Sequence, residues 1–381
     1  MKVEMTQQQA ENKRAFRTFV DEEIVPYADK YDQEEAVPVE TIERLASAGY
    51  LTSIISSENG DRGMDMISFG LLCEEIGRGS ASLLSLLTVH GMVSQAILKW
   101  GSPRQKEVWL PRLAKGETIG AFGLTEPNVG SDARGVEASA TASDGSFVLS
   151  GEKKWISWGQ LAGLFLVIVQ CEGTPSAFLV ERHTPGFSIE PIRGMLGFRS
   201  AMLAKLRMEN CRVPADNLVG KVGFGLSHVG GTALDFGRYS VAWGCVGLAQ
   251  ACLEACVSYS NERKQGGRFL REYQLILAMI ADMLTNIAAA RMLCYRSGYL
   301  KDVGSPKSVM ETCIAKYFAS QIAYKTATDA VQIHGANGCS SDYPVQRYLR
   351  DAKVMEIIEG SSQIQQMLIS KFAFQSASKD A

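Results

Sequence analysis

Two changes in the spacing of apolar residues divide this chain into three blocks, and they constrain its fold more than any other feature. Residues 1–118 carry apolar residues at helical spacing, residues 119–225 carry short apolar runs between Gly and Pro turns, and residues 226–381 return to helical spacing. We therefore predict an α+β fold with an N-terminal α-helical domain (1–118), a middle β-domain of barrel or sandwich type (119–225) and a C-terminal four-helix bundle (226–381).

Turn and cap residues predict where several elements begin. An Asp-Gly pair at 144–145 between two apolar runs indicates a β-hairpin. Ser102 and Gln105 have the spacing of a capping box, and so have Ser362 and Gln365. One helix should therefore follow Ser102, and the last helix of the chain should begin at Ser362.

Charge and cysteine content narrow the class of partner. The net charge of −2 and the lack of a long basic run argue against nucleic acid. The nine cysteines and four histidines show no metal-ligand spacing, and dispersed cysteines are typical of reduced thiols, so we expect a cytoplasmic protein without a metal. No secretory signal is visible at the N-terminus, and the most apolar run, Ser240–Val257, indicates a buried helix and not a membrane span.

A carboxylate lies on a predicted turn before the last helix. Glu359 is followed by Gly360, which permits a tight turn, and it is preceded by Ile357 and Ile358. Partial desolvation beside these side chains would raise its pKa and suit a general base. The alternative is an acid that only complements the dipole of the following helix, and the segment by itself favours that alternative.

Motifs elsewhere resemble those of the acyl-CoA dehydrogenase family, in the family's order and over nearly the whole chain. The segments that carry the resemblance are 120–132 (GAFGLTEPNVGSD), 154–157 (KWIS), 196–200 (LGFRS), 212–214 (RVP), 332–338 (QIHGANG), 343–347 (YPVQR) and the turn 359–360. The resemblance implies an enzyme with FAD that desaturates an acyl thioester. A base removes the α-proton while the flavin N5 atom accepts the β-hydride.

The resemblance assigns the base to Glu359. Some relatives carry the base on the residue before the Arg of a Leu-Asp-x-x-Arg run, but that residue is Gly237 here. The implied flavin contacts are Phe122, Leu124, Thr125, Gly130, Ser131, Trp155, Ile156, Ser157, Ser361 and Gln363. The implied substrate contacts are Ser131, Asp235, Arg238 and Gly360, although Asp235 and Arg238 alone would fit a surface ion pair.

A further group of residues corresponds to family positions that reach FAD from a neighbouring subunit. These are Arg263, Gln274, Gln332, Ile333, His334, Gly335 and Ala336. The resemblance therefore implies a homotetramer built as a dimer of dimers. Two departures are Gly266-Gly267, where the family commonly has Phe-Gly, and Ala336 in place of Gly; the first is expected to weaken FAD retention.

Within the family, segments 240–247 and 351–362 look closest to dehydrogenases that act on acyl carrier proteins in polyketide pathways for hydroxymalonyl or methoxymalonyl extender units. That resemblance implies a three-carbon hydroxyacyl substrate, with Trp243 and Met202 shortening the acyl tunnel. Arg134, Arg193 and Arg199 are candidates for a basic rim that docks the carrier protein.

Other functions stay open at this stage. They are a short-chain acyl-CoA dehydrogenase of catabolism that passes electrons to an acceptor such as an electron-transfer flavoprotein, an oxygen-using flavoenzyme of the same fold, and a non-catalytic binding or regulatory protein.

Overall fold

Six helices form the N-terminal part of the protein. The computed structural model describes residues 4–51 and 63–377, without the side chains of 375–377. The helices are α1 (Gln7–Glu23), α2 (Ala28–Glu34), α3 (Val39–Ser47), α4 (Met66–Gly79), α5 (Ala81–Trp100) and α6 (Pro103–Ala114). The predicted capping box at the start of α6 is confirmed, since Ser102 and Gln105 each accept a backbone N–H of the other.

One sheet forms the middle part. Its strands are β1 (Gly120–Gly123), β2 (Ser139–Ser143), β3 (Ser146–Ile156), β4 (Leu164–Cys171), β5 (Thr174–Glu181), β6 (Phe187–Pro191), β7 (Ala204–Pro214) and β8 (Leu218–Val219). The hydrogen-bonded order is β6-β7-β3-β2-β4-β5-β8, and β1 pairs in parallel with β4. The predicted hairpin at 144–145 joins β2 and β3, with both turn residues at positive φ. Strand β4 is buried almost throughout, as its continuous apolar run indicates.

Five helices and a small hairpin complete the chain. They are α7 (Gly231–Glu262), β9 (Lys264–Gln265), β10 (Arg268–Phe269), α8 (Gln274–Asp302), α9 (Ser308–His334), α10 (Val345–Met355) and α11 (Ser362–Ala377). Helix α7 is central and packs against α4, α5, α8 and α9. The predicted α+β fold is confirmed: along the chain, a helical part comes first, the sheet follows, and a second helical part comes last.

The crossing of α4 and α7 depends on glycines. A Cβ atom on Gly77 would lie 2.7 Å from the Cα atom of Gly244, so the two backbones touch there. Gly70 leaves room for the indole of Trp243, which is fully buried between the helices and contacts Tyr295 edge-on. Trp243 therefore belongs to the core, and the expectation that it shortens an acyl tunnel is wrong.

Three described helical segments are long and apolar enough to cross a membrane, judged by length and composition alone: Ala81–Trp100, Gly225–Glu262 and Gln274–Asp302. The fold buries 89% and 78% of the first two windows but only 17% of the third. Helix α8 thus presents large apolar side chains to the surface, among them Leu275, Leu277 and Leu284. In a single chain, nothing described covers this face.

Candidate active site

A cavity of about 580 Å³ lies between the sheet and the helices. It brings together twelve of the residues that the sequence predicts for the site. They are Phe122, Leu124, Thr125, Gly130, Ser131, Trp155, Ile156, Ser157, Arg238, Glu359, Gly360 and Ser361. They come from β1 and the loop after it, from the end of β3, from α7 and from the turn before α11. Residues far apart in the chain therefore meet at one cavity.

Glu359 has an unusual environment in this cavity. Its Oε2 atom is buried and has no hydrogen-bond partner among the described residues. Burial raises the pKa of its carboxyl group to about 7, and the positive charges of Arg238 and Lys316 counteract this only in part. A carboxylate with this pKa can hold or release a proton near neutral pH.

Gly237 provides the space that Glu359 occupies. A Cβ atom on Gly237 would overlap the Oε2 atom of Glu359 and lie 2.6 Å from its Cδ atom and 2.9 Å from the sulfur of Met92. Position 237 on α7 and position 359 on the turn therefore point at the same volume. With any other residue at position 237, the Glu359 carboxylate would have to move from the place it occupies here.

Three side-chain donors, of which Gln365 and Lys316 are fully buried, hold the turn that carries Glu359. The Nε atom of Arg238 donates to the Glu359 carbonyl at 3.2 Å, and the Gln365 amide donates to the carbonyls of Glu359 and Gly360 at 3.1 and 3.0 Å. The Nζ atom of Lys316 donates to the Gly360 carbonyl at 2.9 Å. The sequence reasoning missed Lys316, because a lone lysine on a helix gives no signal of its burial.

The predicted capping box at the start of α11 is wrong. Ser361, not Ser362, caps the helix, since its hydroxyl accepts the N–H of Ile364. Gln365 turns toward the Glu359–Gly360 carbonyls and does not return to the cap. The helix does begin at Ser362, as predicted.

The loop after β1 is anchored by a buried ion pair. The Nζ atom of Lys153 lies 2.5 Å from the Glu126 carboxylate, and both side chains are almost fully buried. The same carboxylate accepts the backbone N–H groups of Glu137 and Ala138. Lys153 also donates to the carbonyl of Leu124 at 3.2 Å. The pair thus fixes the backbone that presents Leu124 and Thr125 to the cavity.

Other predicted site residues lie outside the cavity lining. The Asp235 carboxylate pairs with Lys301 on α8 at 2.5 Å, so it forms no ion pair with Arg238 and does not face the cavity. Met202 precedes the lining residue Leu203 but is not itself part of the lining. Arg199 is bound by Glu35 at 2.8 Å, whereas Arg134 and Arg193 are exposed beside the lining residues Ala133 and Met195.

The residues implied to act from a neighbouring subunit are also away from the cavity of this chain. Five of them are exposed, namely Arg263, Gln274, Gln332, Gly335 and Ala336, and so is Gln363 on α11. Ile333 and His334 are buried, and the His334 ring stacks on Tyr259 with centroids 4.2 Å apart. Gly266 and Gly267 form the two-residue turn between β9 and β10, both at positive φ, which explains two glycines there.

Family descriptions match the three parts of the chain. The N-terminal, middle and C-terminal domains of acyl-CoA dehydrogenase match residues 6–117, 121–211 and 224–374. The chain belongs to the acyl-CoA dehydrogenase family. It is 38% identical to acryloyl-CoA reductase (NADH) of Anaerotignum propionicum over 97% of this chain and 95% of that protein.

Solved structures agree with this membership. Butyryl-CoA dehydrogenase from Megasphaera elsdenii superposes with a TM-score of 0.94 at 33% identity, covering 98% of this chain and 100% of that one. FkbI, described as serving the biosynthesis of a methoxymalonyl extender unit of a polyketide, gives 0.87 at 29%, covering 96% and 99%.

The family's cofactor is FAD. A glutaryl-CoA dehydrogenase from Mycobacterium smegmatis, solved in complex with FADH2, has a TM-score of 0.92 at 28% identity, covering 97% of this chain and 95% of that one. This acyl-CoA dehydrogenase family member is accordingly an FAD-dependent oxidoreductase acting on CH–CH groups. The cavity suits such a group, because its volume and mixed lining of apolar side chains and hydroxyls are those of a cofactor pocket.

Proposed function

We propose that this protein removes two hydrogens from the α and β carbons of a short acyl thioester, with Glu359 as the base. The observation that carries this proposal is the unpartnered Oε2 atom of Glu359, buried against a cavity, on a carboxyl group whose pKa is about 7. In its ionised form, Glu359 can accept a proton from an acidic α-carbon, because no neighbouring donor occupies its Oε2 atom. The side-chain donors of Arg238, Gln365 and Lys316 bind the backbone carbonyls of the turn and so keep the carboxylate in place.

FAD, when bound, supplies the hydride acceptor. Phe122, Leu124, Thr125, Gly130, Ser131, Trp155, Ile156, Ser157 and Ser361 would hold it from this chain. Gln363, on the same turn as Ser361, is a further proposed contact to this FAD. Arg263, Gln274 and residues 332–336 would hold a second copy's FAD across a subunit interface. The exposed apolar residues of α8 support a homotetramer of this kind, since burying them requires another chain.

The cavity wall suits a small acyl group that carries a hydroxyl. Leu84, Val89 and Val241 make part of the lining apolar, but the hydroxyl oxygens of Ser85 and Thr88 also belong to it. Ser85 can donate its proton to a backbone carbonyl at 2.6 Å and Thr88 at 3.0 Å. Ser85 also accepts the indole N–H of Trp158 at 2.9 Å, and Thr88 lies 3.0 Å from the Ser240 hydroxyl, so each oxygen has one lone pair left that a substrate hydroxyl could use.

We place this acyl group on an acyl carrier protein, in an extender-unit pathway of the cytoplasm. Arg134 and Arg193 are exposed beside the cavity and could meet the acidic surface of a carrier. Arg199 contributes less than its sequence position suggests, because Glu35 already neutralises it. The similarity to FkbI over nearly the full length supports the same substrate class.

A second candidate is a short-chain acyl-CoA dehydrogenase that delivers electrons to an electron-transfer flavoprotein. The 38% identity to acryloyl-CoA reductase and the TM-score of 0.94 to butyryl-CoA dehydrogenase favour it. Both candidates share Glu359 and FAD. In the first candidate the acyl group carries a hydroxyl and is bound to a carrier protein. In the second it has no hydroxyl and is bound to CoA.

The deciding experiment is anaerobic flavin bleaching with four substrates: a three-carbon acyl group with and without a hydroxyl, each on CoA and on a carrier protein. We expect the hydroxyacyl carrier protein to react fastest, and its advantage to shrink as salt rises, because exposed charges are screened within about 10 Å at 0.1 M salt. The double variant Arg134→Ala, Arg193→Ala should lower the carrier rate only, while Arg104→Ala, at an exposed site on α6, serves as the control. Faster, salt-insensitive bleaching by the CoA form would favour the second candidate.

A further inference from the structure

Helix α9 supplies a buried lysine to the back of the active-site turn. Lys316 is completely buried, although lysine is among the residues least often found inside a protein. Its Nζ atom donates to the Gly360 carbonyl at 2.9 Å and contacts the Glu356 carbonyl at 3.5 Å. These carbonyls lie on either side of Glu359. Within the described part of the chain, Lys316 binds these backbone carbonyls and forms no ion pair.

We propose that Lys316 is a positioning residue for Glu359: its ammonium group holds the turn in shape and stabilises the carboxylate form of the base. The inference rests on the proposed role of Glu359. It deepens that role by naming the group on the far side of the turn that keeps the base in its reactive state.

The shape of the turn requires such support. Glu359 has a φ of 55° and Gly360 a φ of 89°, and the first value is unfavourable for a residue with a side chain. Such a conformation persists only when contacts around it determine it. Lys316 and Gln365 meet at the same Gly360 carbonyl, while Arg238 contacts the carbonyl of Glu359 from the opposite helix.

The charged and titratable groups around Lys316 come from two sides. Helix α7 contributes Arg238 and the thiol of Cys245, and the segment before α11 contributes Glu356 and Glu359. Glu356 is already paired with Lys353 at 2.8 Å. The carboxylate of Glu359, in contrast, has no ion-pair partner in the described residues, and the charge of Lys316 acts on it in addition to the larger effect of Arg238.

Protonation of the lysine is compatible with this role at neutral pH. Burial lowers the pKa of Lys316 to about 8, so the group is still mostly charged at pH 7. Its charge in turn lowers the pKa of Glu359, which burial alone would raise further. The lysine therefore opposes the desolvation that the cavity imposes on the base.

The test uses two variants. Lys316→Met removes the charge and the hydrogen bonds but keeps an unbranched stem, whereas Lys316→Gln removes the charge and keeps a donor for the turn, which protects the fold. Single-turnover flavin reduction by a saturating acyl thioester is followed as a function of pH. In both variants we expect the rising limb of the profile to move upward by about one pH unit, which lowers the rate at pH 7 by roughly fivefold.

The matched control is Lys353→Met, which removes an ammonium group from the same region but one that is half-exposed and paired with Glu356. Its pH profile should remain that of the wild type. If Lys316→Gln keeps its FAD and shows an unshifted profile, the inference is overturned whatever its melting temperature, because loss of a purely structural lysine would change stability without moving the profile.

The outcome is separable from failure of the proposed function. A wild-type protein whose flavin no acyl thioester bleaches would remove the proposed function. A wild-type profile that rises near pH 7, disappears in Glu359→Gln and is unchanged in Lys316→Gln would remove only the inference about Lys316.

Discussion

Replacing Glu359, the proposed base, should make the protein more stable, and increasingly so as pH rises above 4.5. The carboxyl group of Glu359 ionises at about 7 in the folded protein, against an ordinary value of 4.5. Below pH 4.5 the group is protonated in both states and has no effect on folding. As pH rises toward 7 the unfolded chain gains by ionising while the folded chain does not, so the wild type loses stability.

The size of this loss follows from the two pKa values. The raised pKa of Glu359 costs about 3 kcal/mol at pH 8, where the desolvated group is ionised, since each pKa unit corresponds to about 1.4 kcal/mol. At pH 5 it costs about 1 kcal/mol, because the folded protein keeps the group protonated while the unfolded chain ionises it. Glu359→Gln keeps the shape of the side chain and does not titrate. The stability gained by the variant over the wild type should therefore be about 2 kcal/mol larger at pH 8 than at pH 5.

Urea unfolding of FAD-saturated wild type and variant at the two pH values measures this difference. Glu107→Gln, which neutralises an exposed carboxylate on α6, is the control and should give the same small difference at both. A gain for Glu359→Gln that does not depend on pH would refute the reasoning, because it would mean that the carboxyl group is not forced to ionise late in the folded state.

Three further outcomes are expected. Gly237→Ala should place a methyl group on the Glu359 carboxylate and lower flavin reduction by at least about tenfold while FAD stays bound, as absorbance and stopped-flow measurements would show. Lys153→Met should strand the buried Glu126 carboxylate, destabilise the protein by about 3–5 kcal/mol in denaturant and lower the FAD-to-protein ratio. Leu284→Asp should put a charge on the apolar face of α8 and produce smaller species by sedimentation.

Each of these outcomes has its own control. Gly231→Ala, in the first turn of α7, has only the Leu226 carbonyl nearby at 3.3 Å and should leave the rate unchanged. Lys205→Met removes a lysine from the same sheet whose ion pair is partly exposed and should cost far less than Lys153→Met. Asp282→Asn on α8 should leave the assembly intact. Normal rates in Gly237→Ala, or an unchanged sedimentation in Leu284→Asp, would contradict the corresponding argument.

The sequence predicted the fold well because the fold depends on periodicity. The helical spacing of α7 to α9 and the alternating or continuous runs of the strands are local signals, and β4 and α6 appear where those signals place them. The start of α11 was predicted correctly for a partly wrong reason. Ser361 and Ser362 are adjacent candidates for the cap, and only the direction of the Gln365 side chain distinguishes them.

Sequence motifs predicted only part of the site. Glu359, Arg238 and the loop after β1 could be named because they lie in segments that match the family's motifs in order. Lys316, Glu126 and the partner of Asp235 could not, since each acts through a side chain that meets its neighbour only after distant helices or strands have packed. Trp243 was misassigned for the same reason, because a buried aromatic residue on a helix can face either a cavity or another helix.

Gly237 and Glu359 are distant in the sequence, but a side chain at the first would occupy the space that the carboxylate of the second fills. A side chain at position 237 would force the Glu359 carboxylate to move, and a second carboxylate there would have to share the same space with it. Removing Glu359 first would take away the proposed base. Among homologous sequences the two positions should therefore covary, with the acid at one and a small residue at the other. The missing side chain at position 237 thus agrees with a base at position 359 and not on α7, the two positions at which relatives carry it.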